Sequence, residues 1–197
     1  MFLINHKKTF VLTAMAFLLG ACVETPMPIN HAAPDYATQA PLAFDVAEIL
    51  VINDAPTTTA TQQLAAYGDS PETALRNWAN RRIQAAGAQG SYSIIIKDAN
   101  FAINKLPMQK GVKGWLKRQQ AERWDAYLNV MIAVEGSASM LPPAEITINL
   151  RSSQTLPEDA SDSEKRQTYA SIMNKLMSLF DAEAKKQMDA YFRAYYM

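Results

Sequence analysis

Arg123-Trp124-Asp125-Ala126-Tyr127-Leu128-Asn129-Val130-Met131-Ile132-Ala133-Val134-Glu135 is the stretch that decides the fold. Trp124, Ala126, Leu128, Val130, Ile132 and Val134 share one parity, whereas Arg123, Asp125, Asn129 and Glu135 share the other. Successive side chains of a strand point to opposite faces, so this period of two predicts a strand with one face on a core and one face wet. Gly136-Ser137 turns the chain. Beyond it Ala144, Ile146, Ile148 and Leu150 oppose Glu145, Thr147, Asn149 and Arg151, the pattern of an antiparallel neighbour. Upstream, Tyr92, Ile94 and Ile96 alternate into Lys97-Asp98-Ala99-Asn100, and Phe101 and Ile103 continue the same strand.

Further upstream the apolar residues of Phe44–Ile52 crowd onto both parities, which predicts a strand buried on two faces or central in the sheet. Thr57–Gly68 reads as a loop, with Leu64 and Tyr67 pinned to the body. Ser70-Pro71-Glu72 starts a helix, with a side-chain oxygen at the cap, proline at the first helical position and an acid near the positive end. Leu75, Trp78, Ala79, Ile83 and Ala86 line its apolar face, and Gly87 or Gly90 ends it. A last helix spans about 161 to 195, capped at Ser161, Asp162 or Ser163. Its stripe from Tyr169 through Ile172, Met173, Leu176, Leu179, Phe180, Ala184, Met188, Tyr191 and Phe192 reads as core. Alternatively Met188–Met197 overhangs the domain to meet a partner or a lipid surface, because about 45 Å of helix exceeds the width of a four-stranded sheet. The predicted class is α+β, a mostly antiparallel four-stranded sheet with two helices on one face in the order β-α-β-β-β-α.

The amino terminus supplies an address. Lys7 and Lys8 precede about thirteen mostly apolar residues, too few for a spanning helix of roughly 20. They end in Leu19-Gly20-Ala21-Cys22, which resembles a bacterial lipobox. A soluble-secretion signal would leave the chain's single cysteine an odd, reactive remainder. The resemblance implies that residues 1–21 are a signal peptide and that Cys22 carries a diacylglycerol and a further acyl chain such as palmitate. Each buried CH₂ contributes about 0.8 kcal/mol to such an anchor. Val23, where inner-membrane retention uses aspartate, implies the outer membrane and a periplasm-facing domain. Residues 22–41 hold Pro26, Pro28, Pro34 and Pro41 and read as a tether, with reach of roughly 60 Å. Residues 42–197 read as a single domain. Without residues 1–21 the chain keeps 17 basic against 19 acidic residues, a balance that gives no general attraction to nucleic acid.

No catalytic constellation is visible. There is no Gly-x-Ser-x-Gly elbow, no phosphate-cradling glycine loop, and the one histidine after Cys22, His31, sits on the tether. The chain is therefore read as a non-enzyme that needs no metal or cofactor. The segment 104–121 stands out instead: Lys105, Lys110, Lys113, Lys117 and Arg118 surround Trp115 and Leu116 with no acid among them. It reads as a hairpin tip, either a solvated basic loop or a contact in which Trp115 and Leu116 meet a partner or an anionic lipid while Lys110, Lys113, Lys117 and Arg118 pair with phosphates. The wet sheet face is a second possible docking surface.

Phe44-Asp45-Val46-Ala47, Gln120-Ala121-Glu122-Arg123-Trp124-Asp125-Ala126 and Arg151-Ser152-Ser153-Gln154-Thr155-Leu156-Pro157-Glu158, together with the lipobox, resemble uncharacterised small lipoproteins of proteobacteria. The element order is similar to the auxiliary lipoproteins of lipid-transporting ABC systems and to the lipopolysaccharide-assembly lipoprotein. These resemblances imply a membrane-anchored accessory in envelope lipid transport or assembly, in contact with an envelope protein partner or with lipid. The alternative expectation is a structural scaffold of an envelope complex that does not touch lipid cargo.

Overall fold

The computed structural model describes residues 38–108, 118–138 and 140–197. Strands β1 (Leu42–Phe44) and β2 (Glu48–Asn53) lead into helices α1 (Thr59–Leu64) and α2 (Pro71–Arg82) and the short strand β3 (Ile83–Ala85). Three long strands follow, β4 (Ser91–Lys105), β5 (Gln120–Glu135) and β6 (Ala144–Pro157), and then helix α3 (Asp162–Tyr191). The main sheet has the order β2-β4-β5-β6, antiparallel from β4 to β6, with β2 parallel to β4. The α+β class holds, and the sheet is mixed. Both α2 and α3 pack on one face of it.

The parities read from β5 and β6 set the core. The register places Ile94, Ile132 and Ile146 abreast, all buried. In β4 the register shifts between Ile96 and Asp98. A bulge inserts one extra residue and resets the face that follows it. This keeps Tyr92, Ile94 and Ile96 on the same inner face as Ala99 and Phe101 despite their change of parity.

Helix α3 lies along the strands. Its Tyr169 ring stacks on Phe101 at 4.9 Å, and the Tyr92 hydroxyl donates to the Met188 sulfur at 3.0 Å. From Tyr169 to Met188 the helix rises about 28 Å, and from Phe101 back to Tyr92 the strand covers about 30 Å. Matched lengths favour the core reading of the stripe over the alternative overhang: Met188, Phe192 and Tyr195 are buried, and Tyr196 bridges to Phe44. The helix runs along the strands and not across the sheet, so strand length and not sheet width limits it. Leu179 and Tyr191, expected on the stripe, face outward, while Met177 and Asp181 are buried in it.

Three expectations from upstream residues are corrected. Phe44–Ile52 is two strands, broken where Val46 N–H donates back to Phe44 O and Ala47 N–H donates to Gln89 and Gly90. The second of them, β2, is a sheet edge, with Leu50 37% and Ile52 42% exposed. Helix α2 stops at Arg82, before Ile83 and Ala86, because Ile83–Ala85 turns extended and pairs in parallel with β1. The predicted loop at 57–68 holds α1. Thr58 caps α1, and Thr58 and Thr61 also bond the backbone of Phe101, where β2 no longer covers β4. Asn100 completes this plug, accepting from Thr58 N–H and Thr61 Oγ1 and donating to Pro56 O and Asp98.

Between the helices, the Asp181 carboxylate of α3 accepts from Trp78 Nε1 at 2.8 Å and from Arg82 Nε at 2.9 Å. The Arg82 and Asp181 side chains are 2% and 10% exposed, and Arg82 also donates to Ala40 O. Asp181→Ala strips a buried guanidinium of its partner and is expected to cost about 3–5 kcal/mol of unfolding free energy. Lys97→Ala, at the exposed pair with Asp54, is expected to cost less than about 1 kcal/mol. Urea denaturation of both variants measures the contrast.

Candidate functional site

The two ends of the long sheet differ. At one end Phe44 packs on Tyr92, with ring centroids 4.7 Å apart, and Met197 N–H donates to Ala43 O, so the chain enters the domain beside its own C-terminus. At the other end the β4–β5 hairpin runs on past Lys105, with Leu106 N–H donating to Ala121 O at 2.7 Å. The fifteen residues of β4 separate these ends by about 50 Å. The basic segment departs from the hairpin end. Lys110, Lys113, Trp115, Leu116 and Lys117 lie outside the described residues, as does Cys22.

Arg118 is described, and it is not a free cation. Its Nε lies 2.6 Å from Asp159 and its Nη1 2.7 Å from Glu164. The expectation of a phosphate-pairing Arg118 is therefore corrected: acids 41 and 46 residues downstream fasten it to the start of α3. Local sequence carried no sign of them. Glu164 also completes a capping box, with Glu164 N–H donating to Ser161 Oγ and Ser161 N–H donating to the Glu164 carboxylate at 2.8 Å. The bond from Arg118, followed by those from Ser161, holds the Glu164 carboxyl down to about 2 from an ordinary 4.5.

Beside this foot lies a cleft of about 250 Å³ lined by Leu64, Tyr67, Ile103, Trp124 and Leu156, with Glu122, Glu158 and Lys165 among its polar residues. Tyr67 packs 5.6 Å from Trp124, whose Nε1 donates to Glu122 at 2.9 Å. The sequence pattern of Tyr67 and Trp124 marks core contacts but gives no sign of the cleft, whose walls come from separate elements. A second cleft of about 280 Å³ runs between α2 and α3 over Ala74, Asn77, Arg81, Met173 and Met177.

The open sheet face also departs from expectation. Asp125, assigned to its wet side, is fully buried beneath Arg123 and Arg151. Leu50 and Ile52 add exposed apolar surface to the same face. Among the described residues no three His, Cys, Asp or Glu side chains gather to hold a metal ion, and no helix is long and apolar enough to cross a membrane.

No family model matches the chain, and no curated protein matches it. Among solved structures, rare lipoprotein B from Shewanella oneidensis is similar at 13% identity and a TM-score of 0.32, over 73% of this chain and 94% of that one. A minor lipoprotein from Acinetobacter baumannii is similar at 12% identity and a TM-score of 0.30, over 76% and 94%. A Xanthomonas campestris protein reaches 10% identity and a TM-score of 0.33, over 79% and 89%. Similarity at this level assigns neither activity nor partner.

The Arg118–Glu164 contact makes a pH-dependent prediction. A carboxyl with a depressed pKa contributes stability above its ordinary value, and that contribution is lost as pH falls from about 4.5 to about 2. In Arg118→Gln the Glu164 pKa is expected to rise, and the stability gap from the parent chain to narrow across that window. Carboxyl-detected NMR titration and acid-dependent denaturation read the two effects.

Proposed function

We propose that the chain is a lipid-anchored lipoprotein of the outer membrane that acts without catalysis as an accessory in envelope lipid transport or assembly. The observation that carries this reading is the separation of its two ends. The tether enters at the Phe44 end, and the basic segment departs about 50 Å away at the other end of β4. A tether reaching roughly 60 Å then lets the basic end work clear of the anchoring leaflet. At that end Lys110, Lys113 and Lys117 supply charge for phosphates, Trp115 and Leu116 supply apolar surface, and the Trp124 cleft lies beside the segment's foot.

A protein contact is favoured by a different observation. The outer edge of β6, fourteen residues long, pairs with no strand among the described residues, which suits strand addition by a scaffold partner.

Arg118 stays in place in the test, since it fastens the hairpin foot. Replacing Lys110, Lys113 and Lys117 with serine and Trp115 with alanine is expected to weaken sedimentation with phosphatidylglycerol vesicles at least about tenfold, with little change on phosphatidylcholine. Unchanged binding to both vesicles rejects the lipid contact. Mass spectrometry of the processed chain is expected to find acylated Cys22 at its amino terminus, and an unmodified cysteine there removes the anchor.

A further inference from the structure

The open face of the sheet holds a polar cluster that the proposed tip function does not use. Asp125 projects from β5 onto this face and is nevertheless fully buried. Arg123 Nε and Asn104 Nδ2 donate to its Oδ2 at 3.1 and 2.6 Å, and Arg151 donates to its Oδ1 through Nε and Nη2 at 3.3 and 2.8 Å. Two guanidiniums face one carboxylate, so this trio carries one net positive charge. Burying a carboxylate costs desolvation that a neutral residue on the same face would avoid. What the arrangement accomplishes is to fix Arg151. Its guanidinium is gripped along one edge by Asp125 and stands 5.4 Å over the Tyr127 ring, yet its side chain is 46% exposed. Of the five N–H donors of an arginine, those of Nη1 have no partner among the described residues.

A basin of about 350 Å³ adjoins this guanidinium, lined by Asp98, Tyr127, Asn129, Asn149 and Arg151 together with Leu128 and Leu150. The register sets Asp98, Asn129 and Asn149 abreast on three neighbouring strands and places Tyr127 and Arg151 abreast in the next row. The side-chain amides of Asn129 and Asn149 make no hydrogen bond among the described residues. Asp98 accepts one bond, from Asn100 at 2.9 Å, and a carboxylate has room for more. The basin therefore offers fixed cationic donors on one side, an acceptor-only carboxylate on the other, and amides that both donate and accept between them.

We propose that this basin binds an acidic saccharide, a sugar unit bearing a carboxylate or a phosphate. The anionic group takes the outer donors of Arg151, and the hydroxyls bond the Asn129 and Asn149 amides and the Asp98 carboxylate. A bare anion meets repulsion at Asp98 and offers it no proton, whereas a neutral sugar brings no charge to the outer Arg151 donors or to the one excess positive charge of the trio. The pairing of opposite demands in one basin selects a ligand that satisfies both.

The test uses the full processed chain in phosphatidylcholine nanodiscs, titrated with trigalacturonate and with glucose 6-phosphate, and with maltotriose and inorganic phosphate as controls. Calorimetry gives the affinity and amide NMR shifts give the location. Binding of either acidic saccharide is expected to move the Asn129, Asn149 and Arg151 amides. It is expected to weaken at least about tenfold in Asn149→Ala and in Arg151→Lys, the latter keeping charge but losing the planar fork. The Asn149 side chain is exposed and bonded to nothing described, so Asn149→Ala leaves the strand pairing in place and keeps the fold, and an unchanged melting temperature verifies it. Which acidic saccharide binds separates a carboxylated polysaccharide from a phosphorylated glycolipid headgroup as the source. The proposal is overturned if neither moves those amides, if inorganic phosphate or maltotriose binds as tightly, or if both variants bind like the parent. Serine variants of Lys110, Lys113 and Lys117 are expected to leave this binding intact, which separates it from the tip.

Discussion

Asp181 holds the two helices and the chain entry in one arrangement. Its carboxylate receives Trp78 and Arg82 from α2, and Arg82 reaches on to the Ala40 carbonyl just ahead of β1. Trp78 meets Phe180 edge-on at 4.8 Å beside this pair, so the polar contact is enclosed by ring packing. A salt bridge this dry adds little net stability over an apolar substitute, but it tolerates only one register of α2 against α3. That register sets where β3 begins, and with it the small parallel pair that seats the start of the domain.

The length of the sheet is the second constraint. One bulge in β4 keeps its apolar residues on one face through fifteen residues, and α3, rising about 1.5 Å per residue, can accompany the strand for most of that distance. The domain consequently has a root end, where β1 meets Tyr196, and a hairpin end, where Arg118 is clamped by Asp159 and Glu164. At the hairpin end the charge of Arg118 is spent on these two acids.

Legibility in the sequence tracked the range of the forces involved. Trp124, Ala126, Leu128, Val130, Ile132 and Val134, with Ile146 and Ile148 and the capping residues Ser70 and Ser161, lie as the sequence predicts, because each is specified by neighbours within a few positions. Ile83 continues an apolar helical period, yet pairing with Leu42 draws it into a strand. Leu50 and Ile52 have the composition of a buried strand and lie on an exposed edge, since nothing local says how many neighbours a strand acquires. Arg118 and Asp125 exchanged their expected roles for the same reason. The cation expected to be free is paired from 41 residues away, and the acid expected to be wet is covered by an arginine 26 residues downstream.

By itself the sequence determined the α+β class, the inner parity of the long strands, the cap of the final helix and the expectation of a lipid anchor at Cys22. These follow from periodicity, local hydrogen bonding and a short contiguous motif, all of which act over a few residues. Only the tertiary structure decided which strand lies at the edge, which charges are spent on one another, that the chain before Leu42 and the chain after Lys105 leave opposite ends of the sheet, and that Arg151 stands fixed beside an open basin. Those outcomes depend on pairings between distant segments, where burial and charge are settled by what folds on top and not by what comes next in the chain.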